Sequence, residues 1–271
     1  MEFFRRRFAV PPEKGGWIWL AGPLAIGVAA AGALRPALAA VVVGALAAFC
    51  IRQPLTLSIK SYRSTTHAGD RQPAAFWVVA YGLACVLAAL ALAANGNVRV
   101  VALAVPAIPV FVWHFALVAR GSERRQVLRD VLAAFALAMA GTAAYWSCGG
   151  DDDATAALVW LLPGLQSGAS VVHMLLRLEQ RRWEKAGPLT RRLRVGIGPA
   201  VYHSANVAIA ALLYTGGYVS FATVAAFAVC LAEGLYAVFV PQVGHTPKRL
   251  GMRQLAVSVV FAGLLCTGWR R

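Results

Sequence analysis

The sequence predicts an all-α, polytopic membrane protein, a bundle of nine transmembrane helices that forms a single domain over residues 1–271. Three observations lead to this prediction. Hydrophobic residues make up 59% of the chain and charged residues 14%, whereas about 25% of the residues of soluble proteins are charged. Apolar segments close to the ~20 residues that cross a bilayer recur along the whole chain. The cations are concentrated in alternate connections, as the positive-inside rule requires.

The nine predicted spans follow one another with short connections. The second, seventh and ninth are short or interrupted, so hydropathy alone would also allow eight or ten spans. Prolines inside the spans, such as Pro106 and Pro109, are expected to kink helices or to free backbone carbonyls. The predicted spans are residues 16–34, 36–51, 74–94, 98–118, 127–147, 155–176, 196–214, 217–240 and 252–268.

The charge of the connections predicts the orientation. With a cytoplasmic N-terminus, 22 of the 26 Lys and Arg residues lie on the inner side, and Arg35, Arg99, Arg270 and Arg271 lie outside. One missed or invented span would reverse this bias downstream of it, so the distribution supports nine spans and an external C-terminus. We therefore predict a multi-pass protein of the cell (inner) membrane.

The net charge of +15 would also suit a nucleic-acid-binding protein. Here the cations are spread over five inner segments, where they would meet anionic lipid headgroups. The chain has no basic domain and no basic motif interleaved with aromatic residues, so we expect anionic lipid as the partner and no nucleic acid.

A cationic stripe is expected where the second span ends, in "RQPLTLSIKSYR", residues 52–63. If this stretch continues the helix, Arg52, Thr56, Lys60 and Arg63 fall within about 80° of one another. Guanidinium groups bind phosphate oxygens as fixed forks, so this face could hold an anionic headgroup. Alternatively, these cations hold no specific ligand, and their side chains only extend from the end of the helix to the phosphates of the surrounding lipids.

A second polar stripe is predicted along the sixth span and just beyond it. Because polar side chains that face lipid are costly, such a stripe is expected to face protein, water or ligand. Together the two stripes predict a cytoplasm-facing cavity between the second and sixth helices, with Tyr202, His203 and Asn206 of the seventh span as further lining. The second stripe, within about 100° of helix surface, consists of Gln166, Ser170, His173, Arg177, Gln180, Arg181 and Glu184.

The remaining polar residues within or beside the spans predict packing interactions. Glu233 is expected to pair with a cation or to hydrogen-bond across helices, and His114 is expected to hydrogen-bond between helices. The acidic run of residues 151–153 would complement the positive end of the sixth helix. The five cysteines have no metal-ligand spacing, so we predict no metal site, and the sequence assigns no cofactor.

Four short stretches carry a resemblance to a known family. They are "PPEKGGWIWLAGPLAIGV", "RQPLTLSIKSYR", "GSERRQVLRD" and "PKRLGMRQLAVSVVFAGLL". In their order along most of the chain, they resemble the YwiC-like family of bacterial membrane proteins. The chain departs from the family's usual opening at Lys14-Gly15-Gly16-Trp17, where a histidine commonly precedes Gly-Ala-Trp.

The nine-helix layout also resembles that of the UbiA superfamily of intramembrane prenyltransferases. In that superfamily, Asp-rich motifs after the second and sixth helices bind magnesium and a prenyl diphosphate. Neither stripe of this chain contains such a motif, and cations do not assemble the same metal-assisted site. The resemblance therefore implies the architecture rather than the reaction, and whether the protein is an enzyme stays open.

Three functions are compatible with these observations. The first is a UbiA-like protein that binds a lipid or isoprenoid phosphate between the second and sixth helices. The second is a transporter of a small anion or metabolite, with Glu233 and His203 at a site within the membrane. The third is a structural or assembly subunit in which the polar residues only pack helices.

Overall fold

The computed structural model describes residues 4–12, 15–63, 69–122 and 126–269; of Arg63 it describes only the backbone. Lys14 of the family stretch and the predicted external cations Arg270 and Arg271 lie outside these ranges. The described residues form eleven α-helices and no strand, which confirms the all-α prediction. The helices are α1 (Arg6–Ala9), α2 (Gly16–Ala31), α3 (Ala37–Arg63), α4 (Arg71–Ala94), α5 (Val98–Ala102), α6 (Ile108–Arg120), α7 (Val127–Ser147), α8 (Asp153–Gln180), α9 (Leu189–Thr215), α10 (Phe221–Phe239) and α11 (Pro247–Gly268).

Eight helical segments in the described ranges are long and apolar enough to cross a membrane, and they fit a multi-pass integral membrane protein. The first predicted span is α2, which has only 16 residues. At 1.5 Å per residue it measures ~24 Å, less than the ~30 Å of a bilayer core. Nine spans and the orientation of the termini therefore stay predictions.

The fourth predicted span is interrupted, as its prolines led us to expect. It consists of α5, a 3-10 turn at Val105–Ala107, and α6. Pro106 lies in the turn and Pro109 in the first turn of α6. Proline has no backbone N–H to donate to the preceding turn, so α5 and α6 do not join into one regular helix.

Two helices extend past their predicted ends. The third helix, α3, continues without a break to Arg63, which confirms that "RQPLTLSIKSYR" is helical. The eighth, α8, ends at Gln180, so Arg181 and Glu184 lie beyond the helix and not on its stripe. The chain leaves α8 through tight turns, in which Trp183 N–H donates to the carbonyl of Gln180 and the Trp183 side chain is buried.

α2 packs closely against α7 in the centre of the bundle. α2 packs against α7, α8 and α11. At the crossing with α7, a Cβ added to Gly27 would overlap the carbonyl oxygen of Gly141. Small residues permit such close approach of membrane helices, so Gly27 and Gly141 fix the position of α2 in the bundle.

The predicted neighbours α3 and α8 pack on different sets of helices. α3 packs against α4, α6 and α7, whereas α8 packs against α2, α7, α9, α10 and α11. α7 packs against both of them. The cations of α3 and the polar stripe of α8 consequently belong to two different sites.

Candidate functional site: an apolar cavity with cations at one end

A cavity of about 510 Å³ lies between α3, α4, α6 and α7. Ligand pockets in proteins measure roughly 300–1,000 Å³. The cavity arises from small side chains that recur every three or four residues and so share one helix face. They include Ala40, Gly44 and Ala48 of α3 and Ala133, Ala136, Ala140 and Ala143 of α7.

One end of this cavity is charged. Arg52 of α3 and Arg129 and Asp130 of α7 line it there, where α3 continues towards Arg63 and α7 begins. Arg129 Nε donates to Asp130 Oδ1 at 2.9 Å, and the Arg129 side chain is only 12% exposed. The Arg52 guanidinium lies 5.7 Å from the centre of the Phe49 ring. The described residues that line this end thus include two cations and one carboxylate.

The rest of the cavity wall is mainly apolar. His114 of α6 lines the cavity towards the charged end, with its ring edge-on to Phe115 at 5.1 Å. Leu92 of α4 and Val100 and Val101 of α5 line the opposite end. A hydrocarbon chain would therefore find apolar contacts along most of the cavity length.

The cavity is open on its side between α4 and α6. Cys85 and Ala88 of α4 and Ile108 and Val112 of α6 line the cavity, and α4 and α6 do not pack closely against each other. Ile108 is 55% exposed and Val112 62% exposed, although both belong to the cavity wall. Since these residues lie on apolar helices that fit a membrane span, this opening faces the region where lipid chains would lie.

The polar stripe of α8 is buried, but it faces α10 and α11. Gln166 Nε2 donates to Ser258 Oγ at 3.1 Å, and Gln254 Nε2 donates to Ser170 Oγ at 2.8 Å. Buried polar groups of membrane helices are expected to find such partners. This part of the stripe therefore serves to join α8 to α11.

Glu233 of α10 is the centre of a buried ionic cluster. Arg177 Nη2 donates to Glu233 Oε1 at 3.1 Å, and Arg253 Nη2 donates to Glu233 Oε2 at 2.6 Å. His173 Nε2 lies 3.8 Å from Glu233 Oε1. The prediction that Glu233 pairs with a cation is confirmed, and its cations come from α8 and α11.

Arg177 also caps the C-terminal end of α10. Its Nη1 donates to the carbonyl of Val240 at 3.0 Å, and Gln180 Nε2 donates to the carbonyl of Ala237 at 2.7 Å. The last carbonyls of a helix have no partners within the helix, and basic groups interact favourably with them. Packing and capping thus account for the buried guanidinium of Arg177.

The three candidates on α9 lie beside this cluster. His203 has its ring centre 6.0 Å from that of His173, and neither of its ring nitrogens has a hydrogen-bond partner in the part of the chain described. Asn206 Nδ2 donates to the carbonyl of Leu165 at 3.2 Å. Tyr202 lies against Gly168, where an added Cβ would come within 2.7 Å of its hydroxyl.

Residues 10–145 match the model of the YwiC-like protein family. The chain belongs to the YwiC-like family. The matched segment contains all the described residues that line the cavity, and it ends before α8 begins. The cavity is thus part of the YwiC-like segment, and the cluster around Glu233 lies outside it. No curated protein and no solved structure matches the chain.

In this YwiC-like protein, the eight predicted binding residues are divided between the two sites. Arg52 lines the cavity; Lys60 lies further along α3, and the side chain of Arg63 is outside the described part. The second and sixth predicted helices are α3 and α8. The prediction of one cavity between them is not supported, because α8 contributes no described residue to the cavity wall. The residues at the second site are His173, Arg177, Tyr202, His203 and Asn206.

Arg129 and Asp130 were not predicted as cavity residues. A pattern in the sequence could have identified them. Arg129 is followed at positions +4, +7 and +11 by Ala133, Ala136 and Ala140, which places a cation at the end of a small-residue stripe on one helix face. Over the described residues, no group of three or more His, Cys, Asp or Glu side chains could hold a metal ion.

Proposed function

We propose that this YwiC-like protein binds an anionic amphiphile, a lipid or isoprenoid phosphate, in the cavity between α3, α4, α6 and α7. One observation supports the proposal above all others: Arg52 and Arg129 line one end of a cavity whose other walls are mainly apolar. Guanidinium groups match the geometry of phosphate oxygens. Apolar walls favour a hydrocarbon chain over water.

The proposed ligand is still a lipid or isoprenoid phosphate, but its binding site is the cavity between α3, α4, α6 and α7 and not a gap between α3 and α8. Arg52 remains a headgroup ligand, now with Arg129 of α7 instead of residues of α8. Lys60 lies eight residues beyond Arg52, or ~12 Å along the helix, where it would contact phosphates at the membrane surface. We propose that this end of the bundle lies at the cytoplasmic face of the cell membrane, with the N-terminus inside and the C-terminus outside, in agreement with the positive-inside rule.

The proposal includes no prenyl transfer. A magnesium-dependent diphosphate site needs several carboxylates. The charged end of the cavity offers Asp130 among the described residues, and Asp130 is already paired with Arg129. Binding, presentation or transfer of the amphiphile within the membrane is the function that these side chains support.

The proposal is tested by native mass spectrometry of the purified protein with a lipid phosphate added at increasing concentration. Charged hydrogen bonds contribute about 1.5–3 kcal/mol each, so Arg52→Ala and Arg129→Ala should each weaken binding by about 10- to 100-fold. Arg120→Ala is the matched control, since Arg120 is an exposed cation at the end of α6. Unchanged occupancy in the double variant Arg52→Ala/Arg129→Ala would overturn the proposal.

A second candidate function is transport of a small anion or metabolite through the α8–α11 half. The observation that favours it is the pair His173 and His203, buried beside Glu233; within the described ranges, His173 Nδ1 and both ring nitrogens of His203 lack hydrogen-bond partners. Ionisable groups inside a membrane often mark a solute path. Uptake by proteoliposomes that depends on His203 and not on Arg52 would favour this function over lipid binding.

A further inference from the structure

We infer that the polar stripe of α8 is hydrated, with water bridging the rings of His173 and His203 and occupying a void beside Gln166. Water and polar side chains then form a hydrogen-bonded path for protons, which begins near Arg253 and ends inside the α8–α11 half. The inference does not depend on lipid binding in the cavity, and it gives the second site a ligand of its own. Three observations lead to it: unpaired ring nitrogens, a void with polar walls and an apolar seal at one end.

The ring nitrogens of the two buried histidines need hydrogen-bond partners. His173 is 3% exposed and His203 is 4% exposed. Over the described residues, His173 Nδ1 and both ring nitrogens of His203 have no partner. A buried polar group without a partner costs more free energy than immobilising one water molecule beside it. A neutral imidazole has one donor and one acceptor nitrogen, and water matches both.

The distance between the two rings allows one bridging molecule. Their centres lie 6.0 Å apart. A direct hydrogen bond of about 3 Å between ring nitrogens, each about 1.2 Å from its ring centre, would bring the centres within about 5.4 Å. A water that accepts from one ring and donates to the other permits the larger separation. Glu233 is already paired with Arg177 and Arg253, so it is not free to neutralise a metal ion between the rings.

A second place for water lies deeper in the same half. Gln166, Ser167 and Ser258 line a small void with room for a molecule of water's size. Pro23 and Pro163 also line it, and proline leaves one carbonyl of its helix without the usual backbone donor. Ordered water satisfies such carbonyls in membrane helices. The void therefore meets both conditions for a buried water, which are sufficient space and several polar partners.

Polar side chains connect the two places and reach the end of the bundle. Gln166 Nε2 donates to Ser170 Oγ at 3.0 Å, and Gln254 Nε2 donates to the same oxygen at 2.8 Å. His173 follows Ser170 by three residues on α8, so the two side chains are neighbours on one helix face. Arg253, which belongs to the ionic cluster, is 37% exposed. The path therefore begins at the end of the bundle where α8 ends and α11 begins.

An apolar cluster closes the path at its other end. Leu162 lies one turn beyond Gln166 on α8, and Phe261 lies one turn beyond Ser258 on α11. The rings of Phe227 and Phe261 have their centres 5.0 Å apart, and all three apolar side chains are fully buried in one cluster. Apolar surroundings do not hold buried water. The two histidine rings therefore exchange protons with one side of the membrane only.

The test is solid-state NMR of the full-length protein in lipid bilayers, with magnetisation transferred from water to isotope-labelled side chains. His245, in the connection between α10 and α11, provides the reference for an accessible ring. We expect the ring nitrogens of His173 and His203 to receive magnetisation at a rate similar to those of His245. Ser258 should receive it several-fold faster than Leu162.

A matched pair of variants tests the bridge between the rings. His203→Phe keeps a ring of similar shape but removes both nitrogens, so transfer from water to His173 should be lost. His203→Gln keeps one donor and one acceptor, so transfer to His173 should persist. Unchanged transfer to His173 in His203→Phe would show that no water bridges the two rings.

The wild-type spectra decide the question even if a variant does not fold. Transfer to His245 without transfer to His173 and His203 would show that the histidine pair is dry, which overturns the inference. Transfer to Leu162 as fast as to Ser258 would overturn the one-sided path. Either failure leaves lipid binding at Arg52 untouched, because that proposal is tested by lipid titration.

Discussion

Arg177 shows how one side chain can satisfy two needs of a membrane helix bundle. It is 2% exposed, and it contacts both the Glu233 carboxylate and the last carbonyls of α10. The sequence predicted that it faces protein, water or ligand, because it lies on a polar stripe of an apolar helix. Its partners could not be predicted, since Glu233 is 56 residues away and helical periodicity says nothing about which helix lies opposite.

Replacement of Arg177 should therefore act on stability. Arg177→Ala leaves the Glu233 carboxylate buried without one of its two arginines, which costs about 3–5 kcal/mol for a buried pair. Arg253→Ala is the comparison, because its side chain is 37% exposed and pairs of that kind contribute about 0–1 kcal/mol. Thermal unfolding of the purified protein should show a clearly larger loss for Arg177→Ala. Equal melting temperatures for Arg177→Ala and the wild type would show that Arg177 is not a structural residue.

At the scale of helices, the sequence predicted where single helices continue or break better than it predicted which helices pack together. The continuation of α3 through "RQPLTLSIKSYR" and the break between α5 and α6 both follow from the residues themselves. The expected meeting of α3 and α8 depended on an assumed helix arrangement. Helix packing depends on small residues at crossings such as Gly27 with Gly141, and a single sequence does not state which glycines meet.

The crossing of α2 and α7 provides a test at this scale. Gly27→Ala places a methyl group against the backbone of Gly141, so the helices must separate, at a cost of about 1–3 kcal/mol. Gly22→Ala on the same helix is the matched control, because its Cβ would lie 3.8 Å from that of Ala262, an ordinary contact. Thermal unfolding should show a lower melting temperature for Gly27→Ala than for Gly22→Ala. If both variants melt alike, the close approach of α2 and α7 is wrong.

The whole molecule consists of two helix groups that were expected to share one site. The YwiC-like match covers the group with the cavity, and the group from α8 onwards holds the ionic cluster. Hydropathy and charge predicted the helical membrane segments, because both can be read from consecutive residues of the sequence. They could not predict the cavity, which exists where small side chains of separate helices face one another.

The orientation of the bundle is tested by the accessibility of its connections. In a variant without the five native cysteines, single cysteines replace Asn95, between α4 and α5, or Ser122, after α6; both positions are exposed. The positive-inside rule predicts that intact cells label the first with a membrane-impermeant maleimide, and that the second reacts only after permeabilisation. The reverse pattern would contradict the predicted orientation.

The central claim is that a lipid phosphate lies in the cavity with its head at Arg52 and Arg129. Photo-cross-linking tests it most directly, with a single-chain lipid phosphate that carries a photoreactive group at the end of its chain. Mass spectrometry of the cross-linked peptides should locate the label at the end of the cavity far from the arginines, near Val100, Val101 and Ala143. The label should be lost in Arg52→Ala/Arg129→Ala. Label spread over the outer faces of α9 and α11, and unchanged in the double variant, would contradict the claim.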